Sequence, residues 1–471
     1  MNRAIILASL LLGACAVGPN YRRAPPVAAS AQPGFDRAAL AGAVADAPEQ
    51  RWWTQMGDPL LDELVADALT RNRDLAAAEA SFKASRALLA ERTADFLPSS
   101  QASASYQRQR FSAQGQAFGS AFALPDRDYF TLGIDSSWEI DLFGRLSRRR
   151  QEAMAEAGSA EATRNDLMVS IAAETVSAYL SLRGAQARLQ VAQEAANNQQ
   201  ASFDLSSKLL AAGRGTRLDV ARAESLLATT RASMAPLAAE IDVAIHRLGV
   251  LVGIGPNALR ERLAPAAAIP ALPAALAVGD PAALLRRRPD IRVAERGLAA
   301  ATARIGIATA DLFPKLSIAG SVGLQANVAG NLFNSNALAF GIGPQLSWNI
   351  LDLPRIRARI RAANASADGA AARYEAAVLR ALEETENALS RRAREYQRVA
   401  ELTNSRDAAV TAARLARLRY QNGVDPFLSV LDAERVALQS QDQLVAAQVN
   451  AGQLGVAVYK ALGAGWQRGD P

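Results

Sequence analysis

Residues 129–140, YFTLGIDSSWEI, and 339–350, AFGIGPQLSWNI, decide the fold. In the first, Phe130, Leu132, Ile134, Trp138 and Ile140 fall on one parity, and Thr131, Asp135, Ser137 and Glu139 on the other. In the second, Phe340, Ile342, Leu346, Trp348 and Ile350 alternate with Gly341, Gln345, Ser347 and Asn349. A period of two predicts strands with one apolar and one wet face, suited to a half-buried sheet or to the wall of a membrane barrel. Strands of ~10 residues cross a bilayer when tilted. Each has an upstream partner. KLSIAGSVGLQ (315–325) carries Leu316, Ile318, Val322 and Leu324 on one side, whereas SSQASASYQRQRF (99–111) is far more polar and gives the weaker pattern. The joining stretches around 112–128 and 327–337 are rich in Gly, Ser, Asn and Gln and are expected to face outside.

The duplication runs along the whole chain. Gly57-Asp58-Pro59-Leu60 returns as Gly279-Asp280-Pro281-Ala282, and Asp95-Phe96-Leu97-Pro98 as Asp311-Leu312-Phe313-Pro314. Gly213, Leu218, Val220 and Glu224 return as Gly423, Leu428, Val430 and Glu434, and Leu251-Val252-Gly253 as Ala461-Leu462-Gly463. Because the matches keep their order, residues 51–253 and 279–463 read as two copies of one structural unit. The connector between them, 254–278, holds Pro256, Pro265, Pro270 and Pro273, which oppose continuous helix, and 464–471 is a C-terminal tail.

Each copy is expected to open with one helix, ended by Pro98 or Pro314. After the second strand come 146–212 and 355–421, each free of proline and each expected as one helix of about 100 Å at 1.5 Å per residue. A break follows, AAGRGT at 211–216 or YQNGVDPF at 420–427, and then a return helix. Gly213 and Gly423 are assigned the turns at these hairpin tips. Leu382, Leu389 and Tyr396 recur every seven residues beside Ala381 and Ala388, the spacing of a coiled-coil seam. A tunnel wall with water on both sides and a solid antiparallel coiled coil both fit that pattern.

The N-terminus follows another logic. Arg3 precedes an apolar run from Ala4 to Leu12 and the small pair Gly13-Ala14, the order of a secretory signal and too short to span a bilayer. Residues 1–14 are read as that signal. Leu12-Gly13-Ala14-Cys15 resembles a bacterial lipobox, so Cys15 is the expected lipidation point and 15–50 a lipid-anchored N-terminal segment. A single acyl chain holds weakly, so a second membrane element is required.

Composition narrows the chemistry. Cys15 is the only cysteine, which excludes an intrachain disulfide and thiolate metal sites. The single histidine, His246, sits on an apolar-periodic stretch near a helix end and reads as a packing or capping residue. GVLVGIGP has glycines but no lysine or serine of a phosphate loop. No enzyme activity, metal or cofactor is expected beyond the covalent lipid on Cys15. A net charge of +6 over 471 residues is no nucleic-acid footprint, and export removes that partner class. Two copies supply four strands, whereas small closed barrels need about eight. Open edges in lipid cost several kcal/mol per unsatisfied group, so the chain must oligomerise.

The lipobox followed by Gly18-Pro19-Asn20-Tyr21, the Trp52-Trp53 and Gly57-Asp58-Pro59-Leu60 segment, the duplicated strand starts, and Tyr420-x-x-Gly423 with Leu428-x-Val430-Leu431-Asp432-Ala433-Glu434 together resemble the outer-membrane factor family. These are the TolC-type and OprM-type channels of tripartite efflux systems. The resemblance implies an α+β membrane protein, a TolC-like homotrimer with four strands per protomer in a 12-stranded outer-membrane β-barrel continuous with a long periplasmic α-helical barrel. It implies a lipid-anchored protein of the bacterial outer membrane, extending into the periplasm. Its channel would pass small toxic or drug-like solutes, fed by a periplasmic adaptor and an RND-type inner-membrane transporter. A type I secretion duct shares the fold, and a lipid-anchored periplasmic coiled-coil scaffold without a pore is the rival of another class.

By the same resemblance Leu428 and Asp432 map onto a periplasmic gate, with Tyr420 and Arg435 in the bonding network that holds it. Leu428 and Asp432 lie one turn apart and share a helix face. Arg222 stands where the repeat places Asp432, so the second tip is expected to gate. Arg148-Arg149-Arg150 and Arg355, Arg357, Arg359 and Arg361 open the long helices, where cations oppose the helix macrodipole. They are assigned to outer-membrane lipid head groups, with intersubunit ion pairs as the alternative.

Overall fold

A computed structural model of the chain describes residues 16–22, 34–40, 42–110 and 126–466; Cys15 and most of the 112–128 stretch lie outside them. In chain order the elements are β1 (Ala43–Val44), a 3₁₀ turn (Trp52–Met56), α1 (Pro59–Arg71), α2 (Arg73–Ala94), β2 (Ser99–Gln109) and β3 (Arg127–Ile140). Then come α3 (Arg145–Ala211), α4 (Arg217–Leu251), α5 (Arg260–Leu263), β4 (Leu276–Ala277), α6 (Pro281–Arg287) and α7 (Pro289–Ala310). The second copy closes with β5 (Lys315–Ala326), β6 (Leu338–Ser347), α8 (Leu353–Gln421) and α9 (Phe427–Ala461). Among the described residues no helix is long and apolar enough to cross a membrane.

The opening helix of each copy is two helices, contrary to the expectation of one. In the first copy Asn72 breaks it: its side-chain oxygen accepts from the amides of Asp74 (2.9 Å) and Leu75 (3.1 Å), and its Nδ2 donates to Leu251 O (2.9 Å). In the second, Pro289 forces Arg288 into extended backbone (ψ 121). The repeated Gly-Asp-Pro is a helix start. Gly57 and Gly279 take φ of 66° and 68°, Asp58 and Asp280 accept from first-turn amides, and the proline occupies a position whose N–H would be unsatisfied anyway.

The chain divides into two compact units. One comprises Phe82–Ala160 and Ala294–Tyr374 with the described part of Met1–Ala24, and it holds a four-stranded antiparallel sheet in the order β2-β3-β5-β6. Its register gathers the two parities cleanly. Tyr106 lies opposite Phe130, Leu132 opposite Leu324, Ile134 opposite Val322, and Val322 opposite Phe340, so one face is apolar across all four strands. The other face carries Gln101, Asp135 and Ser321 in one row, with Ser105 Oγ and Thr131 Oγ1 2.6 Å apart in another. The polar β2 forms its full length because pairing with β3, not its own pattern, holds it. Trp138 and Trp348 repeat for a reason: their indole N–H groups donate to Phe96 O (2.9 Å) and Leu312 O (3.0 Å), fastening the end of each second strand to the turn before the first.

The other unit comprises Pro25–Ser81, Glu161–Val293 and Glu375–Pro471, where described. Its core centres on Trp52, Leu61, Leu64, Tyr179, Leu180, Leu248 and Tyr459, all fully buried. Tyr179 Oη donates to the α1 cap Asp58 (2.6 Å); burial first, then this bond, pushes the phenol up to about 12. Of the sevenfold series Leu389 is buried while Leu382 and Tyr396 are half-buried, with Ala381 and Ala388 buried beside them. The proline-rich connector is held through its backbone. Arg183 donates to Pro265 O (2.7 Å), Gln186 to Leu263 O (2.8 Å), and Arg392 to Pro273 O (2.8 Å) and Ala274 O (2.9 Å). The connector also pairs with the N-terminal segment in a two-residue parallel ladder, β1 with β4, too short to leave a sequence pattern.

Candidate functional site

Both hairpin tips are Schellman turns. At the first, Gly213 takes φ 72°, its N–H donates to Leu210 O (3.0 Å), and that of Arg214 donates to Leu209 O (2.8 Å). At the second, Gly423 takes φ 72°, with Gly423 N to Tyr420 O (2.9 Å) and Val424 N to Arg419 O (2.9 Å). The left-handed backbone at both positions favours glycine, which is the physical content of that repeat match.

The helix starts that follow differ. α4 is capped by Thr216, whose hydroxyl accepts from the Asp219 amide (3.2 Å) and donates to its carboxylate (2.7 Å). α9 begins after Pro426, which has no side-chain cap. Its approach is held instead by Arg419, whose guanidinium clasps Asp425 through two bonds (2.6 and 2.9 Å) and keeps that carboxyl below the usual carboxylate range.

On the second tip, Leu428 is 55% exposed, and Asp432 and Arg435 follow on the same exposed face, paired at 2.6 Å. An exposed pair of this kind contributes little to stability, ~0–1 kcal/mol. Tyr420 lies elsewhere: its ring packs 5.0 Å from that of Phe427, beside Ala223, Val430 and Leu431. Burial, then the Asp219 carboxylate, raises its phenol above the ordinary value. Within one protomer the structure therefore brings Leu428, Asp432 and Arg435 together and places Tyr420 in the packing beneath them. At the first tip Leu218 and Arg222 are the exposed counterparts.

One functional candidate escaped sequence reading. Glu434, 6% exposed, accepts from Arg417 Nη2 (2.6 Å) on α8 and from Ser202 Oγ (2.8 Å) on α3, a buried polar link among three helices. Its repeat counterpart Glu224 is exposed. The signal available was its place on the apolar face of Val430 and Ala437, at helical spacing. Glu434→Ala is expected to cost about 2 kcal/mol by leaving the partners of a buried carboxylate unmatched. Faster amide exchange over 427–437, with Glu224→Ala silent, is the measurement that checks it.

The arginine clusters need one correction. Arg148 is buried and turned onto backbone carbonyls of residues 16–18, not toward lipid, because Gly306 opposite it leaves room for the side chain. Arg150, Arg355, Arg357, Arg359 and Arg361 are exposed and Arg149 partly so; Arg355 lies 3.5 Å from Asp352 and Arg359 3.7 Å from Asp311. His246 Nε2 sits 3.0 Å from Asn257 Oδ1, an interaction between a helix end and the turn after it.

The sheet, the long hairpins and their duplication have known counterparts. The family model described as outer membrane efflux protein matches residues 64–253 and again 281–464. The outer membrane protein OprJ of Pseudomonas aeruginosa is 32% identical over 468 residues, 98% of this chain and 96% of that protein. The toluene efflux pump outer membrane protein TtgF of Pseudomonas putida is 30% identical over 467 residues, 98% of this chain and 96% of its own. The solved structure of the outer-membrane channel OprN superposes with a TM-score of 0.90 at 41% identity, covering 96% of this chain and all of that one. Carrying the TolC-like fold and two matches to the family model, the chain belongs to the outer membrane efflux protein family as an outer-membrane channel.

Proposed function

We propose that this efflux channel works as a homotrimer in which three sheets join edge to edge into a 12-stranded barrel and the long helices line a periplasmic tunnel. The observation that carries the proposal is the sheet itself. Its apolar face is open, with Phe340 79% and Ile342 80% exposed, and among the described residues the outer edges of β2 and β6 have no partner strand. A bilayer covers such a face, and closure removes edges that lipid cannot satisfy. Acylation of Cys15 supplies the second anchor. A periplasmic adaptor and an RND-type inner-membrane transporter deliver small toxic or drug-like solutes, in keeping with the toluene efflux relative, and the protein conducts them without chemistry. The exposed arginines at the helix starts meet lipid head groups.

In this reading the second tip is the gate, and threefold symmetry turns Leu428 and Asp432 into adjoining apolar and acidic rings. Three carboxylates at ~7 Å from a shared axis contribute ~0.6 kcal/mol apiece in water, ~1.8 kcal/mol together, an upper bound of roughly twentyfold enrichment of cations over a neutral solute before salt and the paired Arg435 offset it. Planar-bilayer recordings on purified trimers test this. Asp432→Ala is expected to remove most of the cation preference and Arg222→Ala to leave it. The reverse result sinks the assignment, and a monomer without conductance sinks the channel reading as a whole.

A further inference from the structure

Residues 16–22 run along the sheet-bearing unit, with Ala16, Val17 and Tyr21 half-buried against it and Gly18, Pro19, Asn20 and Arg22 exposed. The Val17 N–H donates to Phe143 O (3.2 Å), and Tyr21 Oη donates to Glu295 Oε1 (3.1 Å) with its ring against Ala155, Ala299 and Ala300. Arg148, 1% exposed, lies beneath the same segment. Its Nε donates to Val17 O (3.1 Å), its Nη2 to Gly18 O (2.9 Å) and Ala16 O (3.4 Å), and its Nη1 to Gln151 Oε1 (2.9 Å). None of these acceptors is a carboxylate. Burying a guanidinium is costly, and here the return is three carbonyls of one short segment.

Three glycines clear the space. A Cβ on Gly144 would stand 2.5 Å from Ala16 Cα, one on Gly18 2.6 Å from Gly306 Cα, and one on Gly306 2.7 Å from the Arg148 side chain. Gly18 (φ 84°) and Gly144 (φ 79°) also hold left-handed backbone. The fit therefore depends on backbone approaching backbone, with Arg148 as the fork that closes over it.

We propose that Arg148, Gly144 and Gly306 form a seat for the backbone of residues 16–18 and thereby fix the attachment point of the lipid anchor. Cys15 is joined to Ala16 by a single peptide unit of 3.8 Å between Cα atoms, which leaves no tether to take up slack. This rests on the reading of Cys15 as the acylated residue. The seat lies between the last residue of β3, Ile140, and the first turn of α3, where Phe143 stacks on Phe313 at 4.6 Å. The acyl chains are thus held in register with the strand ends, so that anchor and sheet enter the bilayer at one matched depth. Arg148 is a positioning residue for that anchor.

Hydrogen exchange read by mass spectrometry on the full-length membrane-extracted protein tests the seat, and the mass of the N-terminal peptide reads acylation separately. In the parent protein the Val17 amide, which donates to Phe143 O, is expected to exchange slowly. Arg148→Ala and Gly18→Ala are each expected to speed that exchange at least about tenfold, equivalent to ~1.4 kcal/mol of local opening, with β5 and β6 unchanged. Gly18→Ala leaves every residue of α3 in place, so it keeps the test valid if Arg148→Ala misfolds. Arg148→Lys, a single ammonium in place of the fork, is expected to restore only part of the protection. Slow exchange surviving both Arg148→Ala and Gly18→Ala overturns the seat. Fast exchange in an acylated parent also overturns it while leaving the anchor. Slow exchange with no acyl mass removes the anchor reading and leaves the seat.

Discussion

Trp52→Ala is expected to destabilise the core around the ends of the two copies by about 3–5 kcal/mol, the cost of emptying a large buried aromatic site. Trp52 is 1% exposed, stacks on Tyr459 with ring centroids 4.9 Å apart and planes 8° from parallel, and meets Trp53 edge-on at 5.8 Å. Such aromatic pairs add ~0.5–1.5 kcal/mol beyond area alone. Tyr459 Oη donates to Gln55 (3.0 Å), so the first turn of the first copy and the last helix of the second are fastened by packing and by a hydrogen bond. Amide exchange over 52–56 and 455–461 reads the loss directly. Trp348→Ala, at a half-exposed indole of the sheet-bearing unit, is the control and leaves those amides protected. An unchanged exchange rate in Trp52→Ala would show that the site collapses around the smaller side chain.

Arg392→Ala carries the second large effect, also about 3–5 kcal/mol, since each buried carbonyl left without a donor costs ~1–3 kcal/mol. The residue is fully buried, donates to Pro273 O and Ala274 O, and lies 4.5 Å over the Tyr396 ring. Its role is to supply donors to a connector whose prolines bring none of their own. Arg392→Met, which restores volume but no donors, is therefore expected to recover less than half the loss. Exchange or limited proteolysis over 268–278 reads the connector; full recovery by methionine would assign the effect to packing.

The parts legible in the sequence were those with a short-range period. The apolar parity of Phe130 to Ile140 and of Phe340 to Leu346 predicted the sheet face, whereas Trp348 and Ile350 lie past the end of β6, Ile350 opening a 3₁₀ turn; proline-free runs predicted α3 and α8 to within two residues at either end. Pro289 was a readable break that the opening-helix expectation passed over. The break at Asn72 was not readable, since its cap is completed by the carbonyl of Leu251, far along the chain. The place of Arg148 is unreadable for the same reason: its acceptors at residues 16–18 are main-chain oxygens, which any residue carries. At the tips, Gly213 and Gly423 were legible because a left-handed turn favours one residue type. Leu428, Asp432, Tyr420 and Arg435 came from resemblance, and nothing in their spacing separated the exposed face from Tyr420 in the packing beneath it.

The order of strands also sets an order of events. β2 pairs with β3, and β5 with β6, each across one connection, so both hairpins arise from contacts between near neighbours in the chain. The central pair is different: Ile140 meets Leu316 only after α3, α4, the connector and α7 have been laid out between them. Closing so long a loop is slow compared with closing a hairpin. During that interval two hairpins exist apart, each with both edges uncovered, the condition that seeds aggregation. The half-made chain is thus most vulnerable before β3 finds β5, and any factor that shields hairpins during export acts on that waiting time.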